Sequence, residues 1–201
     1  MKKSDIIKNN GSSTVIGIMG TAPGAGVTHL SLTIAVFLSS VAGNSVALAD
    51  MSGKDCFRQA GIILKNNFHR KNRIFKMISI YEQSDSSVLS QIMSEGFDYV
   101  IVDFGVDYSG NFRQFLMCGI KLVVGSLCWW KIHNYVEFLV MTESEKSRKH
   151  WFFLANSSGK DGIRYLRHDF NIGIRQIPYI PDPFCLNEEC LDFLQMLTGE
   201  F

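Results

Sequence analysis

The chain has 201 residues, 46% of them hydrophobic and 19% charged, and a formal net charge of +1. Those proportions describe a folded domain with a sizeable core and exclude a disordered chain. Near-neutral charge gives no general argument for nucleic acid or a membrane surface as partner.

The first 13 residues are polar and carry three lysines with no apolar run behind them, unlike a signal peptide. No stretch approaches the roughly 18 apolar residues that a spanning helix needs. The five cysteines, Cys56, Cys118, Cys128, Cys185 and Cys190, are odd in number and form no C-x-x-C pair. They read as reduced, mostly buried thiols of a cytoplasmic protein. A flexible lead-in over 1–12 and a single domain over 13–201 are expected.

In chain order, a β-branched apolar strand is expected over about 14–19 and an amphipathic helix over about 27–41, stopped by Gly43-Asn44. Residues 45–50 read as a buried strand ending in Asp50, and 55–66 as a helix with Phe57, Ala60, Ile63 and Leu64 inward. Residues 68–81 mix both periods and hold at least one strand. Ser84 or Asp85 caps a short helix carrying Val88, Leu89, Ile92 and Met93, closed by Gly96. Phe97 to Gly105 reads as a fully buried parallel strand running into Asp103. Helices near 110–117, 130–142, 160–168 and 187–198 then alternate with strands near 120–125, 151–155 and 173–177. This alternation predicts an α/β fold: a doubly wound, mostly parallel sheet flanked by helices in three layers.

The organising stretch is Val15 to Leu30, a strand, a loop with glycines at 20, 24 and 26, then a helix. Such geometry offers successive backbone N–H groups and a helix N-terminus to an anion. The phosphate-loop pattern G-x-x-x-x-G-K-[ST] is met only in part. Gly26 and Thr28 stand at its last Gly and [ST], but Val27 takes the lysine position and Thr21 that of the first Gly. On this motif alone, a phosphate site and a plain strand-to-helix turn stand level.

The stretches in sequence resemble the ParA/MinD family of deviant-Walker P-loop ATPases, to which the nitrogenase iron protein is related. The family loop K-G-G-x-G-K-[TS] aligns with Ala22-Pro23-Gly24-Ala25-Gly26-Val27-Thr28, and its D-x-D with Asp50-Met51-Ser52. The Walker B strand aligns with residues 97–103. An Asn ends a later strand at Asn156, and an Ile-Pro ends the next at Ile177-Pro178. The resemblance covers nearly the whole chain and implies a P-loop NTPase-like domain. It implies nucleotide contacts at Pro23, Gly24, Ala25, Gly26, Val27, Thr28, His29, Asn156 and Pro178, the last two around the adenine. It also implies Thr28, Asp50 and Asp103 as Mg²⁺ ligands.

The departures fall on chemistry. Val27 replaces the lysine that neutralises the β/γ-phosphates, and Ala22 replaces the signature lysine that crosses a dimer to the partner's nucleotide. Ser52 replaces the acid that positions attacking water. Phosphoryl transfer is catalysed mainly by positioning and charge stabilisation, so turnover by the family mechanism is not expected. No catalytic residue is assigned. Binding of ATP or ADP with Mg²⁺ is expected to be weak: one lost charge-assisted bond is worth about 1.5–3 kcal/mol. The alternative is an active Mg²⁺-dependent ATPase that takes its cation from Lys54 or Lys160. A third reading is a sheet with no nucleotide site. Within the family the loop is similar to that of the TadZ/CpaE branch, whose members help localise pilus assembly machinery, although this sequence shows no receiver-like stretch.

Each feature also has a plainer account. Asp103 is favoured as a metal ligand over a strand-end acid, whereas Asp50 stands level because its partner is Ser52. For Asn156, ordinary turn chemistry is weighted slightly above a base contact. His29 reads as a packed helical histidine before a supplementary cation. The cluster Lys65, His69, Arg70, Lys71, Arg73 and Lys76 reads as a solvated face, so neither nucleic acid nor direct membrane contact is expected. Trp129 and Trp130 cannot both point inward on one helix face, so at least one is expected at the surface, hinting at a protein partner or homodimer. The acidic last helix is expected to pack on the sheet.

Overall fold

In the computed structural model, the β-branched runs form seven parallel strands in the order β3-β2-β4-β1-β5-β6-β7. They are β1 (Thr14–Gly20), β2 (Val46–Asp50), β3 (Ile78–Tyr81), β4 (Tyr99–Asp103), β5 (Ile120–Ser126), β6 (Phe152–Ser157) and β7 (Ile174–Gln176). The structure describes residues 13–55, 57–58, 61–62, 78–157 and 159–201. The expected lead-in and the basic cluster at 65–76 lie outside them, as does most of the helix expected over 55–66.

Among the described residues five α-helices connect strands, α1 (Val27–Ser40), α2 (Ser86–Ser94), α3 (Tyr108–Met117), α4 (Ile132–Met141) and α5 (Lys160–Phe170), and a sixth, α6 (Glu188–Thr198), follows β7. Alternation along each strand divides the core into two clusters. Ile16, Ile18 and Ile101 pack with Leu30, Ile34 and Leu38 of α1 and with Phe193, Leu194 and Leu197 of α6. Val15, Met19, Val100 and Val102 pack with Phe115 of α3 and with Tyr135, Phe138 and Leu139 of α4. Each fully buried Leu, Ile or Phe contributes about 1.5–3 kcal/mol, so this three-layer sandwich is the main source of stability. Asn187 caps the acidic α6 by accepting from the Cys190 N–H at 2.8 Å, and the helix packs on the sheet as expected.

Several boundaries differ from the periodicity, each for a local reason. Strand β4 starts at Tyr99 because Asp98 instead accepts from the Ser45 N–H and hydroxyl, both at 2.8 Å, tying the starts of β2 and β4. Helix α3 starts at Tyr108 because Asp107 caps it, accepting from the Gly110 N–H at 2.9 Å. Helix α4 starts at Ile132, because the Lys131 and Ile132 N–H groups both donate to the Cys128 carbonyl and turn the preceding residues outward. Both Trp129 and Trp130 are therefore exposed, at 69% and 73%, ahead of a helix and not on its face.

The order places β1 at the centre, with β4 and β5 on either side. The chain leaves β1 for α1 and β2 on one side and returns to β5 on the other. Ligands bind at such switch points, outside the carboxyl ends of the strands. The register brings Ile18 beside Asp103, Asp50 beside Asp103, and Gly20 beside Val124. The glycine loop, both acids and the end of β5 thus share one sheet edge.

Candidate functional site: a glycine loop at the centre of the sheet edge

The loop's shape is set by the strands around it. The Gly20 N–H donates to the Gly105 carbonyl at 2.7 Å, and the Thr21 N–H to the Val124 carbonyl at 2.9 Å. A tight turn follows, closed by the Ala25 N–H on the Ala22 carbonyl at 3.1 Å. Gly24 and Gly26 adopt φ of 76° and 89°, a region that costs other residues about 1–2 kcal/mol. A Cβ on Gly24 would meet nothing within 4 Å, so a ligand can approach the backbone there. Gly26 makes no side-chain cap to α1, and the first N–H groups of a helix have no intrahelical acceptor. Backbone geometry suited to an anion is present.

The position that would carry a lysine does something else. Val27 is buried, and a Cβ placed on Gly20 would stand 2.7 Å from its Cγ2 and 3.2 Å from the Ala25 Cβ. Val27 and Ala25 therefore form an apolar floor under the loop. Asn156, at the end of β6, donates its side-chain amide to the Ala25 carbonyl at 2.5 Å. This clamp across the sheet edge accounts for Asn156 without a base. Pro178 follows Ile177, whose N–H donates to the Ala155 carbonyl at 2.8 Å, so Pro178 lies just beyond β7, next to β6, which carries Asn156. Among the described residues the buried Nε2 of His29 has no hydrogen-bond partner.

The acids lie beneath the start of α1. The Thr28 hydroxyl donates to Asp103 Oδ2 at 2.7 Å, and the Gly105 N–H donates to Oδ1 at 2.7 Å. Both Asp50 and Asp103 are fully buried. Burial pushes the Asp103 carboxyl up to about 6 against the bonds from Thr28 and Gly105; nearby Asp50 adds to the rise and Lys54 opposes it. Asp50 Oδ1 accepts from the Ser52 N–H at 2.9 Å and from its hydroxyl at 2.6 Å. The serine that broke the acidic pair in the sequence is thus bonded to its remaining member. A Cβ on Gly105 would lie 2.9 Å from the Ser52 Cβ, so the loops after β2 and β4 touch.

Thr28, Asp103 and Asp50 thus lie together at one sheet edge. Among the described residues no three His, Cys, Asp or Glu side chains form a metal cage.

The loop's outer wall was not foreseen. A narrow cleft separates Thr21 to Ala25 from Ser126, Lys131 and Asn134. The Lys131 ammonium sits 4.5 Å from the centre of the Trp130 ring. The only sequence signal for this wall was that residues 126–134 follow a strand ending at the same edge.

No family model matches this sequence, and no curated protein matches it. Solved structures do resemble the fold. The MinC:MinD cell division protein complex of Aquifex aeolicus aligns at a TM-score of 0.68 and 18% identity, covering 94% of this chain and 97% of that one. A putative plasmid partition protein from Borrelia burgdorferi bound to AMPPNP aligns at 0.63 and 13%, covering 94% and 98%. A ParA family ATPase from Chlorobium tepidum aligns at 0.62 and 16%, covering 94% of each chain.

The chain has the ParA/MinD-like fold. In that fold the glycine loop occupies the central sheet edge, with Thr28 and Asp103 paired beneath it. Among the described residues no helix is long and apolar enough to cross a membrane.

Proposed function

We propose that this chain is a weak nucleotide-binding module that does not hydrolyse its ligand and acts by docking or positioning another protein. One observation carries the reading: the phosphate-loop backbone is held in shape by the surrounding strands while its lysine position is a buried valine. Gly24, Gly26 and the start of α1 would meet the phosphates of ATP or ADP, and Thr28 and Asp103 would hold Mg²⁺ against them. The Borrelia neighbour bound to AMPPNP and the MinD neighbour in complex with MinC supply precedents for each half of the reading. The exposed Trp129–Trp130 pair, at the same edge, is the surface for a partner. A setting in pilus or secretion assembly rests on the loop's resemblance to the TadZ/CpaE branch alone.

Thermal unfolding with and without millimolar ATP or ADP and Mg²⁺ tests the reading. Binding to the native state adds about 1.4 kcal/mol at ten times Kd, so the midpoint must rise. The rise disappears in Gly26→Trp, and phosphate release stays at background. No shift with either nucleotide would reduce the loop to a turn in the fold.

A second reading, an ATPase using a cation from another loop, is favoured by the pull that Lys54 exerts on Asp103. Turnover abolished by Asp103→Ala and retained in surface variants would establish it.

A further inference from the structure

We infer that Lys131 supplies the cation of this phosphate loop, from the turn after β5 instead of from the loop itself. The inference rests on the nucleotide-binding reading above and adds the residue that answers the ligand's charge.

The loop lacks both family lysines, with Ala22 and Val27 in their places. Lys131 lines the cleft against Thr21 to Ala25, within one shared wall. Two anchors keep that wall in place. The Thr21 N–H is bonded to the Val124 carbonyl of β5, which fixes the loop to the strand preceding the turn. The turn is closed by the Lys131 and Ile132 N–H groups on the Cys128 carbonyl, at 2.7 and 2.9 Å. One turn further along α4, the buried Tyr135 hydroxyl donates to the Leu154 carbonyl at 3.2 Å and lies 3.4 Å from that of Val123. Gly125 makes room for this packing, since a Cβ there would stand 2.5 Å from both Thr21 Oγ1 and the Tyr135 ring. Loop and turn are thus fastened to one strand, and the separation between them is built in.

The Trp130 face holds the ammonium by a cation–π contact without neutralising it. A carboxylate partner would cancel the charge, whereas a ring leaves it available to an anion. The ligand chemistry is a chain of phosphates, either that of a nucleoside di- or triphosphate or free polyphosphate.

Calorimetric titration of the whole chain with ADP–Mg²⁺ and separately with inorganic tripolyphosphate tests the assignment. In Lys131→Ala the Kd for ADP should rise about 10-fold or more, the size expected for one charge-assisted contact. Lys131→Arg should recover most of it, and the exposed Lys149→Ala should bind as the parent does. Ligand-free melting temperatures should match throughout. Equal ADP affinity in the parent and in Lys131→Ala overturns the role of Lys131 and leaves the nucleotide reading standing. A parent that binds neither probe overturns both. Tripolyphosphate binding that depends on Lys131 without ADP binding supports the phosphate contact and removes the nucleoside from the reading.

Discussion

Replacing Asp103 by Asn should change how stability depends on pH, with a sign opposite to that of carboxylates held low by ion pairs or hydrogen bonds. Its carboxyl is held at about 6 in the folded chain, well above the ordinary aspartate value of about 3.9. Between those values the unfolded chain loses this proton and the folded chain keeps it, so the folded state binds more protons and stability falls as pH rises. The group costs nothing below pH about 4, and the cost is complete above pH about 6. At 1.36 kcal/mol per unit, the difference amounts to about 3 kcal/mol. Asp103→Asn removes that titration but keeps the shape and an oxygen to accept from Thr28 or Gly105. Urea unfolding of both proteins at pH 4, 5, 6 and 7 should give a stability difference that moves by about 3 kcal/mol in favour of the variant as pH rises. Carboxylates remote from Asp103 titrate alike in both and cancel. Parallel curves would mean that Asp103 is ionised throughout and that burial does not govern it. If Asp103 holds Mg²⁺ as proposed, the same proton leaves on binding, so the nucleotide-dependent rise in Tm should grow between pH 5.5 and 7.5.

Val27→Lys restores the missing cation at its family position; ADP affinity should rise about 10-fold while about 1.5 kcal/mol of stability is lost with the apolar floor. Calorimetry and urea unfolding read the two effects separately. Tyr135→Phe removes a fully buried hydroxyl that reaches carbonyls in the middle of β5 and β6, and should cost about 1 kcal/mol in urea unfolding. Thiol labelling of the native chain should modify the exposed Cys185 at once and Cys118 only on unfolding, because burial pushes the Cys118 thiol up to about 12. Mass spectrometry of the labelled peptides checks the order.

The sheet was legible because a fully buried parallel strand has a short-range signature. Runs such as Val100 to Asp103 are apolar on both faces and end in an acid, whatever lies beside them. The glycine loop was legible for the same reason, since positive φ at Gly24 and Gly26 is a demand of the local backbone. The walls of the site were not. Asn156 reaches Ala25 across 131 positions, and Lys131 lines the loop only because β5 pairs with β1. Neither fact has a periodicity that a window of residues could reveal. The exposure of the tryptophan pair was legible, but the start of the helix after it was not. A helix was extended two residues too early, and the Cys128 carbonyl that accepts both N–H groups of the turn leaves no trace in composition.

The separation of shape from charge explains how this loop can keep the form of a phosphate site without its lysines. Gly20 is tied to Gly105, Thr21 to Val124 and Ala25 to Asn156, so the backbone is fastened to β4, β5 and β6 in turn. None of those bonds involves the side chain at position 22 or 27. The scaffold therefore tolerates Ala22 and Val27, and Val27 even adds to the core. Catalysis has no such tolerance, because the transition state for phosphoryl transfer is stabilised by the charges that were lost. On the proposed reading, binding lies between the two: backbone N–H groups and Lys131 would hold a phosphate chain without cleaving it. A loop with this shape and this charge distribution is what the proposed nucleotide, acting as a bound ligand, would require.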